Sequence, residues 1–304
     1  MHPKHKKLLS LTAAALLLIS ASWFLSTRND VDVAVPEANM KVAKPERHNV
    51  ERPFHIINLS LPRTGTTSIA GLFDEFNAVH EFMVVETVSQ LVAWHSDRLS
   101  DEELDEFLIA RDEANPLDVD SASFFYLAQE RLFELFPDAM YLFSVRDGVS
   151  WFVSFIRLIV EESKDDPAFN AWMDEYGQIF SPLFRIEYFT EPVDLRQDVG
   201  PMITDFADFW GGWTTRTLEN LMAMPPEKRL VLRTSDISDT LDSLAEFAGI
   251  SVSDLNLDNQ HLNRGGDRID VLGRLGEKRV KAAFLPWQEK VDALMKQLEE
   301  DTER

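Results

Sequence analysis

The feature that most constrains the fold is a short apolar segment, residues 54–60, that runs into a tight turn at residues 61–65 and then into a helical pattern. The apolar segment predicts a buried strand, and the spacing of Ile69, Leu72 and Phe76 predicts a helix behind the turn. This order aims backbone N–H groups and the positive end of the helix dipole at one point. Such a point binds anions. The sequence therefore predicts an anion site after the first strand.

The side chains of this turn suit an anion. Arg63 brings a fixed charge with a forked set of donors, and Thr66 and Thr67 bring hydroxyl groups. Gly65 lets the backbone approach a ligand closely. The nucleotide-binding P-loop, G-x-x-x-x-G-K-[ST], places a Lys directly after its last Gly, where this chain has Thr66. The turn is therefore better suited to a phosphate group than to a nucleoside triphosphate with Mg²⁺.

Residues 61–69 resemble the 5′-phosphosulfate loop of the sulfotransferases that use 3′-phosphoadenosine 5′-phosphosulfate (PAPS), a pattern close to L-P-[KR]-[ST]-G-T-T-x-[LI]. The match runs through the whole segment, with Arg63 where many members have Lys. The resemblance implies PAPS as co-substrate and a P-loop-like α/β fold, with a mostly parallel sheet flanked by helices. It implies a catalytic role for Arg63 and a set of cofactor-binding residues in this loop: Arg63, Thr64, Gly65, Thr66, Thr67 and Ser68.

A second segment follows the apolar run at residues 140–145, which is typical of a parallel strand covered on both faces. Arg146 comes next, where open α/β sheets bind ligands, and Ser154 follows eight positions later. The segment resembles the family's 3′-phosphate motif, R-[DN]-P-x-[DE]-x-x-x-S, with Gly148 in place of Pro and Ser150 in place of the acidic residue. The resemblance implies that Arg146 and Ser154 bind the 3′-phosphate. The alternative is that Arg146 is a helix-capping ion-pair partner.

A third segment, at residues 261–268, is polar and rich in Gly. It resembles the family's R-K-G loop over the 3′-phosphate. The resemblance implies that Arg264 and Gly265 contact the cofactor, whereas a solvated turn of no further role is the alternative.

Other segments predict the rest of an α/β alternation. Residues 77–82 and 229–233 predict strands, and residues 118–121 predict the N-terminal cap of a helix that runs to Phe136. Strands and helices that alternate in this way form a mostly parallel sheet.

Two titratable residues, His80 and Glu81, follow the first strand–loop–helix unit at the place where the chain returns to the ligand-binding edge of the sheet. Sulfonyl transfer needs a base that accepts the proton of the acceptor. Cytosolic members of the family use a His, and several Golgi members that modify carbohydrates use a Glu after the second strand. We expect Glu81 to be the base, with His80 as the second candidate. The alternative is a surface carboxylate beside a turn histidine.

The N-terminus predicts a membrane anchor. We expect a basic n-region at residues 1–7, an apolar signal anchor at residues 8–26 and a stem at residues 27–52. The resemblance implies that residues 53–304 are a sulfotransferase domain. Cleavage near the small residues Ser20 and Ala21 is the alternative. The basic flank predicts a cytoplasmic N-terminus. For a eukaryotic source, the domain would then lie in the Golgi lumen. For a bacterial source, the side of the membrane on which the domain lies is left open.

Composition narrows the classes of partner and cofactor. A net charge of −22 disfavours nucleic acid as a partner, and the absence of Cys excludes disulfides and thiolate metal sites. The His residues form no H-x-x-x-H or H-x-H pair, so no metal is expected. The expected function is sulfonyl transfer from PAPS to a hydroxyl or amine of a carbohydrate or small molecule. The alternatives are a P-loop kinase or hydrolase, and a nucleotide-binding module without activity.

Overall fold

The computed structural model describes residues 52–162, 199–259 and 270–302, and all of them belong to one compact unit, His48–Arg304. Within these residues the strands are β1 (Ile56–Asn58), β2 (Ala78–His80), β3 (Val119–Ser121), β4 (Met140–Val145) and β5 (Arg229–Arg233). The α-helices are α1 (Thr66–Leu72), α2 (Val84–His95), α3 (Asp101–Ala114), α4 (Gln129–Leu135), α5 (Gly148–Glu162), α6 (Val199–Met222), α7 (Leu241–Ala248), α8 (Val271–Leu275) and α9 (Glu277–Thr302).

The strands form a five-stranded sheet in the order β2-β3-β1-β4-β5, and every pair of neighbours is parallel. The α/β fold with a mostly parallel sheet is thus confirmed. Helices flank this sheet because each of its faces is apolar. Along β4, Tyr141 and Phe143 belong to one buried cluster and Leu142 to the other, as the two-residue repeat of a strand requires.

The strand order places a topological switch between β1 and β4. The chain leaves β1 towards β2 on one side of the sheet and leaves β4 towards β5 on the other. A crevice forms at the carboxyl ends of neighbouring strands whose connections diverge in this way. The loop that carries Arg63 follows β1, and Arg146 directly follows β4, so both motifs reach this crevice.

One predicted element is wrong. Residues 118–121 do not cap a helix, because Val119–Ser121 is β3, which lies between β1 and β2. The polar residues that suggested a cap have partners in the fold: Asp120 pairs with Arg111, and Ser121 accepts a hydrogen bond from Asn58. The helix begins later, with a 3₁₀ turn at Phe125–Ala128 that leads into α4.

Several predictions fall outside the described residues. These are the basic n-region, the anchor at residues 8–26, most of the stem, and the cofactor contacts of Arg264 and Gly265. Arg52, the last residue of the predicted stem, donates a hydrogen bond to the Leu117 carbonyl. Among the helices that the structure describes, none has the length and apolarity needed to cross a membrane.

Candidate active site

The candidate site lies at the carboxyl ends of four neighbouring strands. The loop with Arg63 follows β1, Glu81 follows β2, Ser123 lies just beyond β3, and Arg146 follows β4. Parallel strands end at the same edge of a sheet, so residues far apart in sequence meet there.

The loop after β1 is held by its carbonyl groups. Every carbonyl from Leu61 to Thr66 accepts a hydrogen bond. In chain order the donors are Thr64 Oγ1 to Leu61 (2.6 Å), Trp151 Nε1 to Pro62 (2.8 Å), Arg146 Nη1 to Arg63 (2.9 Å), Ser144 Oγ and Thr234 Oγ1 to Thr64 (2.7 and 2.8 Å), the Ile69 N–H to Gly65 (2.9 Å) and Ser121 Oγ to Thr66 (2.8 Å). The carbonyl oxygens are thus engaged by the protein, whereas the N–H groups of the first turn of a helix lack intrahelical acceptors. This is the polarity that an anion requires.

Two residues of the loop adopt left-handed backbone conformations, Arg63 with φ of 67° and Gly65 with φ of 97°. A Cβ at Gly65 would lie 2.8 Å from Ile237 Cδ1, which is the end of a side chain, so the need for Gly at this position comes from its backbone conformation. Arg63 is held in its conformation at two points. Its carbonyl accepts from Arg146, and its Nε donates to Ser154 Oγ at 3.2 Å.

A buried network of small polar side chains supports the loop, and it was not predicted from the sequence. Asn58 Nδ2 donates to Ser121 Oγ, the Ser60 hydroxyl donates to Asn58 Oδ1, and the Ser144 N–H donates to Ser60 Oγ at 2.7 Å. Asn58, Ser60, Ser121 and Ser144 are all fully buried. A polar residue inside an apolar strand, such as Ser144 within β4, could have indicated this network, because a buried hydroxyl needs a hydrogen-bond partner.

The structure brings together the side chains predicted for the two phosphate groups. Arg63 contacts Ser154, and Arg146 contacts the backbone of Arg63, so these three residues form one cluster at the switch point. The hydrogen bond from Arg146 to the Arg63 carbonyl gives Arg146 a role in shaping the loop after β1. A contact of Arg146 with a 3′-phosphate stays a prediction.

The structure explains why Gly148 stands where the family has Pro. Its N–H donates to Gln288 Oε1 at 2.9 Å, and Pro has no N–H to donate. A Cβ at this position would lie 2.7 Å from Phe284 Cδ1 and 2.8 Å from Trp210 Cζ3, two buried rings. Helix α9, which carries Gln288 and Phe284, therefore supports the start of α5 in this chain.

The remaining predicted loop residues differ in exposure. Gly65 and Thr67 are partly exposed, whereas Thr64, Thr66 and Ser68 are buried. The Thr64 hydroxyl donates back to the Leu61 carbonyl, so its side chain stabilises the loop. Contacts of these residues with a cofactor stay a prediction.

Both candidate bases lie beside the loop. His80 Nε2 is 2.9 Å from Thr66 Oγ1 and 3.3 Å from Thr67 Oγ1, and it is 3.7 Å from Glu81 Oε1. Burial lowers the pKa of His80 below its ordinary value, and the neighbouring Glu81 carboxylate offsets part of this change. A lowered pKa leaves the imidazole neutral near pH 7.

The Glu81 carboxylate is oriented by the end of the neighbouring strand. Ser123 Oγ donates to Glu81 Oε1 at 2.5 Å, and the Glu81 N–H donates to the Ser121 carbonyl at 3.1 Å. The side chain keeps 32% of its surface exposed, so an acceptor can reach it. Ser123 was also not predicted from the sequence, because its position depends on strand β3, which the sequence pattern did not indicate.

Among the residues that the structure describes, no group of three or more His, Cys, Asp or Glu side chains is arranged to hold a metal ion.

Comparison with solved structures finds sulfotransferases at low sequence identity. They include a sulfotransferase from Alicyclobacillus acidocaldarius (15% identity, TM-score 0.41, covering 81% of this chain and 96% of that one) and a sulfotransferase domain from the curacin biosynthetic pathway (13%, 0.42, 82% and 99%). A sulfotransferase domain from the olefin synthase of Synechococcus PCC 7002 is similar too (12%, 0.38, 83% and 97%). No curated protein sequence matches this chain.

A family model described as a sulfotransferase domain matches residues 55–263. This match spans more than half of the chain and includes the loop after β1, both candidate bases and the segment from Arg146 to Ser154. On this match, the chain belongs to the sulfotransferase family.

Proposed function

We propose that the protein transfers the sulfonyl group of PAPS to a hydroxyl or amine of a carbohydrate or small molecule. One observation supports this function above the others: the loop after β1 has all its carbonyls from Leu61 to Thr66 engaged by the protein, with Arg63 beside it. Such a loop is suited to the 5′ end of an anionic nucleotide. No metal is needed for this scheme.

The reaction is an in-line displacement at sulfur. The bond between sulfur and the bridging oxygen of the 5′-phosphate breaks, and a bond between sulfur and the acceptor atom forms. Negative charge then develops on the bridging oxygen, and adenosine 3′,5′-bisphosphate leaves with it. Arg63, the loop N–H groups and the hydroxyls of Thr66 and Thr67 are the donors that stabilise this charge.

The acceptor must lose a proton as it attacks. We assign this proton to Glu81, whose carboxylate is held by Ser123 and is partly exposed beside the loop. His80 is the second candidate, because its neutral imidazole contacts the loop hydroxyls directly. In the proposed arrangement His80 orients Thr66 and Thr67 while Glu81 receives the proton.

The test of this function is an acceptor screen with ³⁵S-labelled PAPS. The full chain is incubated with panels of simple sugars, phenols, aliphatic alcohols and amines, and labelled products are separated from PAPS. Transfer to at least one panel without added metal is expected. Hydrolysis of ATP that depends on Mg²⁺, with no labelled product from any panel, would instead support a kinase or hydrolase.

We also propose that residues 8–26 anchor the protein in a membrane with the N-terminus in the cytoplasm. The support is the basic flank followed by an apolar run in the sequence. Protease treatment of sealed vesicles tests this topology. Protection of the domain is expected. Digestion of the domain in intact vesicles would show that it lies on the cytoplasmic side instead.

A further inference from the structure

A buried ion pair lies beneath the turn that carries Glu81. Arg111 on α3 and Asp120 on β3 pair at two points, Nη1 with Oδ2 and Nη2 with Oδ1, the latter at 3.1 Å. Arg111 is 4% exposed and Asp120 is 6% exposed. Because both charges are removed from water, their pairing must offset a large desolvation cost.

The same guanidinium makes contacts beyond its carboxylate. Nη2 donates to the Phe82 carbonyl at 2.7 Å, and Nε donates to Thr87 Oγ1 at 3.2 Å. Its central carbon lies 5.0 Å from the ring centroid of Phe82 and 4.9 Å from that of Phe125. Arg111 thus joins the end of β2, helix α2 and the segment after β3.

The backbone between β2 and α2 needs such a restraint. Glu81 and Met83 adopt left-handed conformations with φ of 58° and 49°, and neither is Gly. Non-glycine residues keep such conformations only where their surroundings fix them. The Phe82 carbonyl, which accepts from Arg111, lies between these two residues.

The partner of the Glu81 carboxylate is held by the same group. Ser123 donates to Glu81 Oε1, and Phe125, two residues further on, packs against the guanidinium. One side chain therefore fixes both the backbone of Glu81 and the segment that orients its carboxylate. A buried ion pair is by itself weak evidence for stability, because apolar residues of similar volume often replace it without loss.

We infer that Arg111, held by Asp120, is the positioning residue for Glu81. This role rests on the proposed function, in which Glu81 accepts the proton of the acceptor. The hydrogen bonds and ring contacts of Arg111 go to Asp120, to Phe82 and Thr87, and to Phe125, so Arg111 lies behind the turn. It acts by keeping the carboxylate at one place beside the loop.

The double variant R111M/D120L tests this inference, because removing both partners leaves no unpaired buried charge. The amides at residues 81–84 are expected to exchange at least about tenfold faster than in the wild type. This is the change expected when the turn loses one hydrogen bond to a charged group. Release of labelled sulfate from PAPS, with water as the acceptor, should fall on the order of a hundredfold. Affinity for adenosine 3′,5′-bisphosphate should stay within about twofold, since a displaced base lowers kcat and leaves nucleotide binding intact.

The matched control is R131M/D105L. Arg131 and Asp105 also pair at two points, between α4 and α3, and each is 21% exposed. This variant should leave exchange at residues 81–84 and sulfate release unchanged. If R111M/D120L fails to fold, R111K keeps the charge without the planar fork and should show the same changes to a smaller degree.

Two results would overturn the inference: unchanged exchange at residues 81–84 in R111M/D120L, or an equal change in the control. Hydrogen exchange also separates this inference from the proposed function. If the wild-type chain neither binds adenosine 3′,5′-bisphosphate nor releases sulfate, the proposed function fails. Faster exchange confined to R111M/D120L would still show that Arg111 holds the turn.

Discussion

Arg63 Nε donates a hydrogen bond to Ser154 Oγ at 3.2 Å, and this contact joins two motifs that lie far apart in the sequence. Arg63 belongs to the loop after β1, and Ser154 lies on α5 beyond β4. The two strands are neighbours at the topological switch of the sheet, so the contact follows from the strand order. The groups predicted for the 5′ and 3′ ends of the nucleotide thus lie at a single site.

Arg63→Ala is expected to weaken binding of adenosine 3′,5′-bisphosphate by about 1.5–3 kcal/mol, because it removes a charge-assisted hydrogen bond to the 5′ group. Turnover of PAPS should fall with it. Arg63→Lys, which keeps the charge, should lose less than Arg63→Ala. Isothermal titration calorimetry of both variants measures the difference, and equal losses would mean that charge at this position plays no part.

Arg146→Ala and Ser154→Ala test the 3′-phosphate site. Both should lower affinity for adenosine 3′,5′-bisphosphate more than affinity for adenosine 5′-phosphate, which lacks the 3′ group. Arg146→Ala should also cost some affinity for both nucleotides, because Arg146 supports the Arg63 carbonyl. Competition binding with the two nucleotides measures these losses. If the ratio of the two nucleotide affinities is the same in the variants and in the wild type, both residues only stabilise the fold.

Glu81→Gln is expected to lower turnover by about 10²–10⁴-fold, the usual contribution of a general base, while nucleotide affinity stays nearly unchanged. His80→Ala is the matched comparison and should disturb the Thr66 and Thr67 hydroxyls that contact it. Single-turnover measurements with PAPS separate chemistry from binding. Near-normal turnover in Glu81→Gln, together with collapse in His80→Ala, would transfer the role of base to His80.

Gly148→Ala should destabilise the fold by about 1–3 kcal/mol, because the added Cβ overlaps the buried rings of Phe284 and Trp210. Gly212→Ala is the control. Gly212 lies in α6, where an added Cβ would meet nothing within 4 Å among the described residues apart from its chain neighbours and its own helix backbone, so this change should stabilise the helix by up to about 1 kcal/mol. Urea unfolding of both variants measures the two effects. A neutral Gly148→Ala would show that α9 does not restrict this position.

The sequence was sufficient to predict the fold class and the family where a motif is local. The loop at residues 61–68 and the strand at residues 140–145 are read from adjacent residues, so the parallel sheet and the family followed from them. β3 was missed because it has three residues and two of them are polar. Asp120 and Ser121 indicate a helix cap by composition, and only their distant partners Arg111 and Asn58 explain them in a strand.

The supports of the site could not be predicted for a similar reason. Several donors that engage the loop carbonyls, such as Trp151 and Thr234, come from elements 80 or more residues away in the sequence. The hydrogen bond from Arg111 to the Phe82 carbonyl depends on how α3 packs against β3. Contacts of this kind depend on tertiary structure and leave no periodic pattern in one sequence.

If the loop after β1 binds the nucleotide of PAPS, calorimetry of the full chain with adenosine 3′,5′-bisphosphate should detect that binding directly. Measurable heat and one bound nucleotide per chain are expected without added metal, with binding weakened in Arg63→Ala. Absence of heat for the intact wild-type chain, under conditions where it is folded, would show that the loop is not a nucleotide site.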